Sequence, residues 1–164
     1  MSSGSKSLFK NVERKVVLFN ELPAPAKKAY IWFFAVEACN DVVTAIDDIL
    51  PKDAGCPNDI PEPVWLAMYE NVAAFVGNEM FCYLEVPSGQ IKSLIMEHNK
   101  GVKEEHDSWE SYSEFYGASG EDHPDHDRFP CIAFEGHSDV VYDGWHRLHH
   151  YLSRGHETIP VLEI

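Results

Sequence analysis

Tyr142-Asp143-Gly144-Trp145-His146-Arg147 is the stretch whose reading decides the fold. Before it, Val140-Val141-Tyr142 carries the β-branched and aromatic residues of a strand end. Asp143 has the chemistry of a helix N-cap, and Gly144 permits a tight turn. After it, Trp145, Leu148, Tyr151 and Leu152 fall at the spacing of one helix face. Gly155 behind Arg154 is a helix stop, and Thr158-Ile159-Pro160-Val161-Leu162 returns to strand composition. Strand, glycine turn, helix and strand form a βαβ-like unit. Its turn would bring backbone N–H groups, His146 and Arg147 to a helix N-terminus, where anions bind readily.

Working outward, residues 130–134 predict a strand, Glu135-Gly136-His137-Ser138 a turn, and residues 139–142 a strand returning. Upstream, residues 80–86 predict a strand ended by Pro87. Ser88 can then cap a short helix carrying Ile91, Leu94 and Ile95. The polar stretch 99–128 between these units contains Trp109, Tyr112, Phe115 and Tyr116, which predict one short docking helix. Nearer the N-terminus, residues 15–19 suggest a strand, and the prolines at 23 and 25 mark a helix start. Residues 26–49 and 60–76 predict two helices, the second with Val64, Met68, Val72 and Phe75 on its apolar face. The expected fold class is α+β: a small mixed sheet with helices over residues 80–164, and an N-terminal strand and helical layer over 1–79.

Charge limits the function. With 13 Lys and Arg against 27 Asp and Glu, the chain carries a formal charge of −14. Such a surface repels phosphate backbones, so direct nucleic-acid binding is disfavoured and a basic protein partner is the better match. The longest apolar stretch, 29–43, is interrupted by Glu37, Asn40 and Asp41, which excludes a membrane span there. No secretory leader is recognisable and the four cysteines form no C-x-x-C pair, so a cytoplasmic setting is expected. Cys39 and Cys82 sit among apolar neighbours and are expected to be core residues.

With the strand ending in Pro87, the proline-led strand at 130 and the Asp143-Gly144-Trp145-His146-Arg147 box in place, the C-terminal half resembles the ParB/sulfiredoxin superfamily. The resemblance covers about residues 80–164. It implies a ParB/sulfiredoxin-type fold and binding of a nucleotide or phosphorylated small molecule, with Gly144, Trp145, His146 and Arg147 at the ligand. Arg147 would supply a permanent two-pronged donor and His146 a titratable one. A nucleoside triphosphate with Mg²⁺ is the implied cofactor, with Asp143 and His146 as the implied catalytic pair. Trp145 stands where sulfiredoxins place a catalytic cysteine, so thiol-based repair is not expected. Partition proteins of the ParB type carry a G-E-R-R-type box, and no DNA-reading domain is expected beyond residue 164.

The alternative expectation is a non-catalytic acidic inhibitor from a phage or other mobile element. It would block a basic, nucleic-acid-handling host complex, as anti-CRISPR and anti-restriction proteins do. A ParB-like nuclease is a third reading, opposed by the scarcity of cations. His146 and His150 share a helix face, but no H-E-x-x-H pattern accompanies them. Glu85 and Glu135, each near a strand end, could act as a base or a metal ligand, or remain ordinary exposed acids.

Overall fold

In the computed structural model, residues 9–36, 60–120, 131–133 and 144–163 are described. Strand β1 spans Lys15–Leu18, and a 3-10 turn at Phe19–Glu21 leads to helix α1, Ala24–Val36. Glu21 ties off the end of β1, its Oε2 accepting from the Leu18 N–H at 2.9 Å. Helix α2 spans Glu62–Val76 and strand β2 Met80–Pro87. Helices α3 (Ser88–His98), α4 (Lys100–Glu105) and α5 (Trp109–Gly120) follow. Strand β3 (Cys131–Ala133), helix α6 (Trp145–Ser153) and strand β4 (Thr158–Glu163) complete the described elements.

The strands form one mixed sheet in the order β1-β2-β4-β3. β2 runs antiparallel to both β1 and β4, while β3 runs parallel to β4. A parallel neighbour requires a crossover, and the chain between β3 and β4 includes α6. The expected α+β class with a small mixed sheet is therefore what the chain adopts.

Because side chains alternate along a strand, β2 feeds two cores at once. Phe81 faces one core with Leu162 of β4, under Tyr30 and Ile31 of α1 and Trp65, Met68 and Val72 of α2. Cys82, Leu84 and Val86 face the other, with Ile159 and Val161 of β4, Ile91 and Ile95 of α3, Tyr112 of α5, and Leu148 and Tyr151 of α6. The N-terminal helices are thus a helical layer, as expected, and they pack on the same sheet that the C-terminal half builds.

Four local expectations need correction. Helix α2 buries Met68 and Val72 as expected and packs Val64 partly buried beside them, but Trp65 and Val76 complete its inward face and Phe75 stays exposed. The indole of Trp65 is the larger apolar surface and wins the inward position. Ser88 is the first residue of α3 and not its cap; Pro87 occupies the cap position, and the Ser88 N–H donates to Glu157 O at 2.9 Å. Helix α4 was not expected: Asn99 opens it, its Oδ1 accepting from the Val102 N–H at 3.2 Å, and Val102 is buried. Phe115 is 68% exposed and does not dock, so α5 is held by Tyr112 and the half-buried Trp109.

Candidate functional site

Helix α6 opens at Gly144, whose φ of 90° and ψ of 24° lie in the left-handed region. An L side chain there would crowd the following carbonyl, which is why a glycine stands at this turn. Gly144 is itself the N-cap residue, its carbonyl accepting from the Leu148 N–H at 2.7 Å. The expectation that Asp143 fills that position is corrected: the cap falls one residue later, at Gly144, where the left-handed backbone favours glycine. Asp143 lies outside the described residues, as do the strand expected at 139–142, the turn at 135–138, Glu135 and Cys39.

From this turn the helix places its side chains in three environments. His146 is exposed to solvent, Trp145 is half-buried, and Arg147 is 6% exposed. Leu148, His149, His150, Tyr151 and Leu152 are all buried. The helix is enclosed on nearly every side, well beyond the single apolar stripe that its spacing predicts. Arg147, expected at the ligand, is thus a buried cation and not a solvent-exposed one. The expected pairing of His146 with His150 on one face separates into an exposed and a buried imidazole. Among the described residues, no three His, Cys, Asp or Glu gather closely enough to hold a metal ion.

The best-defined polar arrangement near the turn centres on His149, which the sequence motif does not include. Its Nδ1 lies 2.7 Å from the Trp145 carbonyl, and its Nε2 lies 2.7 Å from the Tyr112 hydroxyl. A carbonyl can only accept, so Nδ1 carries the proton and Nε2 accepts from Tyr112. Three rings surround the imidazole: Trp145 at 4.6 Å between centroids, Tyr112 edge-on at 5.4 Å and Trp109 stacked at 6.3 Å. Burial holds the His149 pKa down to about 4, against the hydrogen bond to Trp145 O, with neighbouring His146 lowering it further. His149 is therefore a neutral fastener between α5 and α6. The signal for it was present as two spacings, Trp109 to Tyr112 and Trp145 to His149, each placing two rings on one helix face.

A second polar cluster lies at the end of the sheet. Arg14 Nε donates to Cys82 Sγ at 3.3 Å while its Nη2 pairs with buried Glu163. Burial pushes the Cys82 thiol up, more than offsetting the help that Arg14 gives the thiolate. Cys82 is a protonated core residue, as expected. Glu85 is exposed on β2, and its carboxylate accepts from Tyr83 OH at 3.2 Å and Thr158 Oγ1 at 3.0 Å. The Thr158 bond braces β2 against β4 and the Tyr83 bond lies within β2, which assigns Glu85 a structural partner set.

No family model, curated protein or solved structure matches the chain. Among the described residues, no helix is long and apolar enough to cross a membrane.

Proposed function

We propose that the chain binds the phosphate end of a nucleotide or other phosphorylated small molecule at the turn 144–147, in the manner of a ParB/sulfiredoxin-like domain. The observation that carries this reading is Gly144 in the left-handed conformation, opening a helix between two parallel strands with exposed His146 in its first turn. A helix start offers N–H groups and a partial positive charge, and the exposed His146 imidazole adds a side-chain donor. Arg147, the other cation of the stretch, is buried, so the exposed donor of the proposed site is His146. The Mg²⁺ expected beside Asp143 needs oxygen donors, and the reading concerns the phosphate alone. Titrating the protein with ATP, CTP and GTP, with and without Mg²⁺, tests it. His146→Ala, a change at an exposed position, should weaken binding severalfold while leaving the melting temperature in place. Absence of binding by the wild type overturns the reading.

A second reading, the non-catalytic acidic inhibitor, is favoured by one specific pairing of facts: a charge of −14 together with the burial of Arg147. A surface so acidic attracts a basic protein face. This reading expects salt-sensitive capture of a nucleic-acid-handling protein, unaffected by His146→Ala. No capture at low salt would dispose of it.

A further inference from the structure

Helices α1 and α2 pack antiparallel on the face of the sheet away from α6, and between their exposed shoulders lies a cleft of about 230 Å³. Its floor and walls are Ile31, Trp65, Leu66 and Tyr69. At its mouth two ammonium groups lie over two rings: Lys27 Nζ is 5.6 Å from the centre of Tyr69, and Lys28 Nζ is 5.5 Å from the centre of Trp65. Lys28 is also paired with Glu62 at 3.0 Å. Among the described residues, no carboxylate pairs with Lys27. Two cations and one carboxylate leave the mouth with a net positive charge, on a chain whose total is −14.

We propose that this cleft is a binding site for a small monoanion with an apolar body, a single-ring aromatic acid or a short acyl carboxylate. The site goes beyond the phosphate turn and does not depend on it. Size, lining and charge each narrow the ligand. An engineered apolar cavity of about 150 Å³ holds benzene, so a cleft half as large again suits one ring and a short side arm. Aromatic and aliphatic walls favour an apolar body and offer little to a strongly hydrated triphosphate. With Lys28 already paired to Glu62, the ammonium of Lys27 is left to match one negative charge at the mouth.

The experiment uses the whole chain and phenylacetate as probe, with 2-phenylethanol as the uncharged body of similar shape. Binding is read from the Trp65 indole N–H and the backbone amides of α1 in two-dimensional NMR. Phenylacetate should give a saturable shift confined to these signals, with a midpoint of about 1 mM. Lys27→Gln should raise that midpoint about three- to fivefold, the scale of one exposed ion pair. Glu62→Gln, which frees Lys28, should lower it, a direction that a merely loosened helix pair would not produce. Phenylethanol should bind more weakly than phenylacetate. Shifts that do not saturate, that ignore both substitutions, or that appear on raising protein concentration without ligand would overturn the proposal; the last would assign the cleft to a second copy of the chain.

Discussion

At the scale of single residues, His149 shows how burial chooses a protonation state. Its pKa falls from 6.5 to about 4 because the cation would lose its water among Trp109, Tyr112 and Trp145. In the unfolded chain the same imidazole takes up its proton near the ordinary value. Between the two values the unfolded state binds more protons, so stability rises with pH across that window and is fully present above 6.5. The difference corresponds to about 3 kcal/mol, lost as the pH drops from neutral to about 4. Denaturant midpoints measured from pH 7 to pH 4 should fall steadily, and His149→Leu should flatten that fall. Tyr112→Phe, which removes only the hydroxyl donor at 2.7 Å, should cost about 1 kcal/mol at neutral pH by the same measurement.

At the scale of elements, α6 depends on its ends as much as on its face. Its C-terminus closes with the His156 N–H on Tyr151 O and the Gly155 N–H on Leu152 O, both at 3.2 Å. That is the paired-bond arrangement of a helix ended by a left-handed glycine, and Gly155 has a φ of 71°. A Cβ added at Gly155 would meet nothing within 4 Å, so its cost is purely conformational. Gly155→Ala should therefore lower stability by about 1 kcal/mol without disturbing the core. Helix α2 shows where periodicity falls short: Met68 and Val72 were readable, but only the position of the sheet turns Trp65 and Val76 inward and leaves Phe75 exposed. Helix α4 escaped notice because six residues containing one buried valine make no periodic signal, and the Asn99 cap is recognisable only once the chain is folded.

For the whole molecule, the sheet has cores on both faces, and β2 and β4 belong to both. Leu162 joins the α1/α2 core and Leu84 the α3/α6 core, each essentially inaccessible. Leu162→Ala and Leu84→Ala should each cost about 2–5 kcal/mol, and both should shift one common unfolding transition. Separate transitions for the two faces, seen by calorimetry, would contradict that coupling.

Local chemistry settled much of this architecture in advance. Residues 80–87, 109–120, 145–153 and 158–163 carry turn residues and apolar spacings strong enough to specify an element type before any packing occurs. Gly144 and Gly155 were equally readable, because a left-handed backbone excludes nearly every other residue. What only tertiary structure decided is which polar groups lie inside. Arg147, His149 and Glu163 look like surface residues in sequence, yet α5 covers His149 and the sheet end encloses Glu163 beside Arg14. Burial depends on what arrives from distant parts of the chain, here 37 residues away for Tyr112 and 149 for Arg14, and no local pattern encodes that arrival.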